Sequence, residues 1–397
     1  MRDHSWEAAR TDAHRLGALR TARTESIDLH HAAGRILATE LRANYPLPHC
    51  ETSAMDGYAV NGPGPWQLLA DLAPNPGEGK TPGIAEGQAI AVVTGSLIPT
   101  GTTSILRVED SHRDGALLVA DRPPRTGADI RPAGTEAAAG ELLASAGTRL
   151  RAGVLATAAV SGHDELSVFA RPSVHLVFTG DEVVTSGYPA PGQVRDGFSP
   201  VLPLLVATLG GQTSGTTRIG DTLEATVAAL DSASARDANI IVTTGGTGFS
   251  DRDFVRAAVH ELGGSEVISS IAMRPGHPSM LSSLPGNRLL VALPGNPLAA
   301  LMAAATLVDP ILRGATGRAP ARLRAAVSTA DFGPLPGRTR LVPASWTRDA
   351  AGPDALAPSE HIAPAMLRGL AAADAILVIG PEGAAAGAPV HYLELPW

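Results

Sequence analysis

From residue 173 to residue 312 the chain alternates short apolar runs with helix-length segments, and this alternation constrains its fold more than any other feature. Residues 174–178, 239–242 and 289–293 have the length and β-branched content of buried strands. Residues 200–209, 222–230, 254–262 and 298–312 fit helices, the third stopped by Gly263-Gly264. Strands alternating with helices pair in parallel, because each helix carries the chain back to the same end of the sheet. A doubly wound parallel sheet covered on both faces is therefore expected.

The flanking segments differ. Residues 5–22 carry a partial apolar stripe (Ala8, Ala9, Ala13, Leu16, Leu19) and predict a helix, and residues 30–41 predict a second. Residues 46–127 are rich in Gly, Pro and short β-branched runs and predict a small β-domain. Residues 141–149 lead into an Ala-rich helix near 153–160. A Pro/Gly/Arg-rich break at 314–322 precedes a last segment without a long helical stripe, expected to be a small β-domain. A length of 397 residues accommodates about three domains. The expected division is 1–166 with the insert at 46–127, then 167–316, then 317–397.

Net charge is −8 and no basic run is present, which argues against nucleic acid as a partner. One cysteine, Cys50, excludes an internal disulfide and any multi-cysteine metal site, and fits a reducing compartment. The polar start lacks a signal-peptide core. The apolar stretch at 298–308 is shorter than the roughly 20 residues that span a bilayer. A soluble, cytoplasmic protein with no membrane association is expected.

Three expected strands end in marked turns: Thr179-Gly180-Asp181-Glu182, Gly245-Gly246-Thr247-Gly248 and Pro294-Gly295-Asn296-Pro297. In open α/β sheets ligands bind at the carboxyl ends of the strands. Glycines let backbone approach a phosphate, and acids supply oxygen ligands for Mg²⁺. Three such turns in one domain point to a phosphorylated or nucleotide ligand with a divalent metal. Each turn also has a purely structural reading. Asn296 can cap a helix with Pro297 as its first residue. Thr179 with Glu182, and Ser250 with Asp253, have capping-box spacing.

A further motif, Ser53-Ala-Met-Asp-Gly-Tyr-Ala-Val60, is by itself a tight Asp-Gly turn feeding a strand. Followed in order by Thr179-Gly-Asp-Glu182, Arg274-Pro-Gly-His-Pro278 and Leu293-Pro-Gly-Asn-Pro297, it makes the chain resemble the molybdopterin molybdenumtransferases of the MoeA and gephyrin E-domain type along nearly its whole length. The resemblance implies a multidomain α/β fold: a helical stalk with an inserted β-domain, a doubly wound molybdopterin-binding domain and a C-terminal β-barrel. It implies insertion of molybdate into adenylylated molybdopterin, with Mg²⁺ and release of AMP. The family's catalytic positions fall on Asp56, Thr94, Glu182, Asp221 and Asp253, with Glu182, Asp221 and Asp253 as metal ligands. Its substrate-binding positions fall on Gly180, Gly245, Gly246, Thr247, Gly248, Arg274, His277, Pro294, Gly295, Asn296 and Arg338. Arg131 and Glu136 lie where the family has an Arg and usually an Asp. The resemblance also implies a homodimer in which Asp56 acts across the interface, and a molybdopterin adenylyltransferase as a possible partner.

The chain departs from the family where an oxyanion is expected. Arg274 and His277 stand where lysines are usual, and Ala299 where a serine is typical. His277 introduces an imidazole, a group that changes charge near neutral pH. The loop Gly245-Gly-Thr-Gly-Phe-Ser250 is closer to molybdopterin adenylyltransferases. Two further functions therefore stand beside the first: adenylylation of molybdopterin, and molybdopterin binding without turnover.

Overall fold

The computed structural model describes residues 3–20, 23–69, 83–247, 254–347 and 355–397. At its centre is a six-stranded sheet. Its order is Gln212–Arg218, Ser173–Phe178, Ile240–Thr244, Arg288–Leu293, Met280–Leu284, Ser265–Ile268. The first four strands run parallel and the fifth runs antiparallel to both its neighbours, so the sheet is mixed rather than wholly parallel. The reason is local. Only three residues, Pro285-Gly286-Asn287, separate Leu284 from its partner Arg288, and a connection that short can only reverse the chain. Gly286 (φ 77°) and Asn287 (φ 62°) supply the left-handed conformations the turn requires.

Alternate side chains of the central strands feed two cores. Leu176, Val242 and Val291 face the Leu202–Thr208 helix and the helix that begins at Pro297. Val177, Ile241 and Leu290 face the helices Leu223–Leu230 and Val255–Glu261. This two-sided burial makes the domain doubly wound. The strand Gln212–Arg218 carries no apolar run, because it lies at the sheet edge and alternates exposed with half-buried polar residues.

The helix expected at 298–312 continues through Ala315 as Pro297–Ala303, a π-turn Ala304–Val308 and Asp309–Ala315. At 19 residues it is longer than its most apolar stretch suggests, and 94% of its most apolar window lies inside the fold. The N-terminal helix Trp6–Ala18, capped by the Ser5 side chain, packs on it. The indole N–H of Trp6 donates to the Thr306 hydroxyl at 3.0 Å, inside the π-turn. Farther along, backbones meet: a Cβ on Gly17 would lie 2.1 Å from the Ile311 carbonyl oxygen, and one on Gly314 2.1 Å from that of His14.

The helix expected at 30–41 is absent. Leu29–His31 forms a single 3-10 turn under an Asp28 cap, and Gly34 (φ 74°) then turns the chain out of it. Short ladders replace it: Thr24–Asp28 with Glu165–Phe169, Leu41–Arg42 with Leu142–Ala144, and Thr52–Ser53 with Ile130–Arg131. The Ala-rich helix is present as Ala152–Val160. Inside the 46–127 segment lies a six-stranded sheet, order Ser104–Arg107, Gly57–Val60, Gln88–Val92, Trp66–Leu68, Leu117–Ala120, Ser111–Asp114.

The C-terminal segment is a closed five-stranded barrel. Thr339–Thr347 pairs with both Ala355–Pro358 and Ala375–Ile379, and Pro389–Glu394 with Arg324–Ser328 complete the ring. Ile271–Arg274 runs beside Thr339, and His4–Ser5 beside Ile271, so three segments distant in sequence share one sheet.

Candidate functional site

The three turns singled out in the sequence converge. They line one cavity of about 660 Å³ at the carboxyl ends of the parallel strands. Gly180, Glu182, Asp221, Gly245, Gly246, Thr247, Pro294, Gly295 and Asn296 all contribute. The turns are tied together: the Thr179 hydroxyl donates to the Thr244 carbonyl, and the Gly245 N–H donates to Leu293 O at 2.8 Å. Gly245 (φ 87°) and Gly246 (φ 66°) hold conformations that side chains resist, so the backbone itself forms this wall.

The structural readings of the turns divide. Val183–Val184 is a strand, so Thr179 and Glu182 do not cap a helix. Asn296 does occupy an N-cap before Pro297, yet its side chain makes no capping hydrogen bond. Instead the Leu298 and Ala299 N–H groups donate to Pro364 O, at 3.0 and 3.3 Å, and Ala365 and Leu367 of that loop wall the cavity. The C-terminal segment thus closes one side of a site built by the α/β region. Ser250, Asp253 and Gly248 lie outside the described residues.

The carboxylates behave differently from one another. Asp181 and Asp221 clasp reciprocally: Asp181 N–H donates to Asp221 Oδ2 at 3.2 Å, and Asp221 N–H to Asp181 Oδ1 at 3.3 Å. Glu182 is exposed, and its carboxylate pairs with no described residue. The side chain of Asp196, a residue outside the three turns, is almost fully buried. Burial would raise its pKa, but the Ser199 hydroxyl, the Ser199 and Phe198 N–H groups and Arg218 outweigh it and hold the carboxyl below the usual range. The signal was Asp196-Gly-Phe-Ser199, an Asx-turn sequence ahead of a helix. Arg195 and Arg218, also unforeseen, bring positive charge to the cavity.

Other expected site residues lie elsewhere. Asp56 sits on an exposed turn of the inserted sheet and accepts the Thr94 N–H at 2.7 Å and the Thr94 hydroxyl at 3.0 Å. Those two bonds hold its carboxyl below the ordinary value. Arg131 and Glu136 line a second cavity of about 560 Å³ with His49 and Thr135. His277 Nε2 lies 3.0 Å from Asp3 Oδ2, and Arg338 exerts its charge on the same carboxylate. Neither is among the cavity-lining residues, although Pro278 is. Arg274 is exposed and precedes a cis proline. Among the described residues no three His, Cys, Asp or Glu side chains cluster as a ready-made metal site.

Comparison with known proteins matches this anatomy. Residues 4–162 match the family described as MoeA N-terminal region (domain I and II), and residues 175–314 a probable molybdopterin binding domain. The chain is 31% identical over 314 residues to a molybdopterin molybdenumtransferase of Nostoc sp., covering 75% of this chain and 70% of that protein. It is 32% identical over 304 residues to one of Synechococcus elongatus, covering 72% and 74%. A solved structure, a molybdopterin biosynthesis MoeA protein from Pyrococcus horikoshii, superposes with a TM-score of 0.80 over 99% of both chains at 22% identity. With the fold matched along its length and relatives of this identity over most of it, the chain belongs to the molybdopterin molybdenumtransferase family.

Proposed function

We propose that this protein is a transferase of molybdenum cofactor biosynthesis that inserts molybdate into adenylylated molybdopterin and releases AMP. The observation that carries the proposal is the convergence of three strand-end turns on one cavity edged by the carboxylates of Glu182 and Asp221. The relatives are named molybdopterin molybdenumtransferases, which supports transfer of molybdenum to molybdopterin.

Glu182 and Asp221 offer oxygen donors of the kind Mg²⁺ takes, with Asp253 proposed as a third. Bound there, Mg²⁺ would offset the charge of the phosphates at the bond to be broken. The chain's own part is placement. The Gly245-Gly246 turn sets backbone in the cavity wall, where a phosphate would meet it, and the Asp181–Asp221 clasp fixes one carboxylate against the Glu182 turn. The exposed Asp56–Thr94 turn supports a homodimer, in which it meets the cavity of the partner subunit.

The test incubates the purified protein with adenylylated molybdopterin, Mg²⁺ and molybdate. The expected result is molybdate-dependent AMP release and metal in the product. ATP-dependent adenylylation of molybdopterin would favour the adenylyltransferase reading, to which the Gly245-Gly246-Thr247 loop lends itself. Binding without AMP release would favour a non-catalytic role, in line with Arg274, His277 and Ala299.

A further inference from the structure

The cavity poses an electrostatic problem. Its carboxylates, Glu182, Asp196 and Asp221, repel the anionic substrate that the functional reading requires, so a cationic side chain beside the proposed Mg²⁺ would favour that substrate. Among the described lining residues the cations are Arg195 and Arg218. Arg195 is exposed on a two-residue strand and, among the described residues, its side chain reaches only Val184 O, at 3.3 Å. Arg218 is anchored. It is the last residue of an edge strand and is paired in register with Phe178. Its guanidinium carbon lies 5.4 Å from the centre of the Phe178 ring, and one of its terminal nitrogens donates to Asp196.

Asp196 is built to hold that arginine. It accepts the Phe198 N–H at 2.8 Å, the Ser199 N–H at 3.1 Å and the Ser199 hydroxyl at 2.5 Å, and its side chain is 4% exposed. Its negative charge is shared among these donors as well as Arg218, so the arginine is oriented without being fully neutralised. A guanidinium carries five N–H donors in a rigid fork. Asp196 uses one nitrogen of a side chain that is 30% exposed and lines the cavity, which leaves further donors for a ligand there.

We propose that Arg218 binds the phosphate of the nucleotide portion of the substrate, and that Asp196 is the positioning residue that aims it. The proposal rests on the reading that the cavity takes an adenylylated substrate. A planar fork matches two phosphate oxygens at once, which a lysine at the same place cannot do.

Calorimetric titration with AMP and with adenosine separates the possibilities. Arg218→Gln should weaken AMP binding by about tenfold and leave adenosine binding unchanged. Arg218→Lys should recover part of the loss. Asp196→Asn should fall between, again for AMP alone, and retained adenosine binding certifies that each variant is folded. Equal weakening of AMP and adenosine would overturn the proposal, because the arginine would then be supporting the ring or the fold. Unchanged AMP affinity in Arg218→Gln would overturn it alone. A wild-type protein that binds neither probe would remove the nucleotide reading itself and the proposal with it.

Discussion

The α/β region and the inserted sheet carry their acids in opposite ways. In the α/β region one continuous core runs from Trp6 through the central strands to Leu393 of the barrel, and the carboxylates stand at the rim of a cavity this single chain encloses. The insert has two small cores on opposite faces of its sheet, one around Ala59, Ile90 and Ile105, the other around Val60, Trp66 and Leu118. Its Asp56 is tied down on an exposed turn. A carboxylate preorganised on an exposed turn has nothing to act on unless a second surface meets it. The first region builds a container, and the second presents a group to one.

The largest effect tests whether the two cores are energetically separate. Trp6→Ala should cost about 3–5 kcal/mol, because a fully buried indole and its bond to Thr306 are lost from the shared core. Trp66→Ala should instead loosen the insert alone, with its cluster and the Trp66–Gly62 bond at 3.0 Å. Urea unfolding with amide exchange should show a global shift for the first and protection lost only in the six strands of the insert for the second. One common transition for both would merge the two regions.

Next come the acids. Glu182→Gln and Asp221→Asn should each lower AMP release by about a hundredfold or more, roughly 2.7 kcal/mol, without changing unfolding. Asp56→Ala should also inactivate, by removing the presented group. Mixing inactive Asp56→Ala with inactive Asp221→Asn should then restore activity, up to about a quarter of wild type, because half of the dimers carry one intact composite site. No recovery after exchange of subunits, or a monomer by light scattering, would place Asp56 outside a shared site.

A smaller effect concerns how Asp56 is held. Thr94→Val keeps the backbone N–H, the stronger of its two restraints, and removes the hydroxyl. Turnover should fall severalfold at neutral pH. The folded pKa of Asp56 is depressed, so activity that needs its charge persists at mildly acid pH and is lost as pH falls through that value. In Thr94→Val this acid limb should move to higher pH. A limb that does not move would mean that another group sets it.

What the sequence made legible follows from the kind of signal each element emits. Buried central strands such as Ile240–Thr244 announce themselves by apolar runs, and their turns by glycine and proline. The edge strand Gln212–Arg218 is Thr- and Ser-rich and emits no such signal, so the arginine at its end went unseen. The stretch 30–41 has helix-forming composition, but tertiary pairing of Leu41–Arg42 with Leu142–Ala144 overrides it. The convergence of Glu182, Gly245 and Asn296 was legible because strand ends of one parallel sheet must meet, whereas Asp221 came only with the family resemblance. The approach of Pro364 was not, since no local pattern encodes where a barrel loop will rest.

The smallest effect concerns the one expected oxyanion group that the structure gives another partner. The parallel alignment of His4–Ser5 with Ile271–Arg274, and of that strand with Thr339, brings Asp3, His277 and Arg338 together. Asp3 accepts from the Ser270 hydroxyl at 2.5 Å and lies 3.0 Å from His277 Nε2, and these bonds, with the charges of His277 and Arg338, hold its carboxyl below the ordinary value. A depressed carboxyl stabilises the fold above its unfolded pKa, and the contribution is lost as pH falls through the folded value. The group is partly exposed, so Asp3→Asn should cost only about 0.5 kcal/mol at pH 7. That difference from wild type should vanish in acid, once both side chains are neutral. If His277 serves only Asp3, as the geometry supports, Asp3→Asn and His277→Lys should leave the molybdate dependence of AMP release unchanged. If freeing His277 from Asp3 tightens molybdate, the carboxylate has been competing with substrate for the imidazole, and His277 rejoins the oxyanion site.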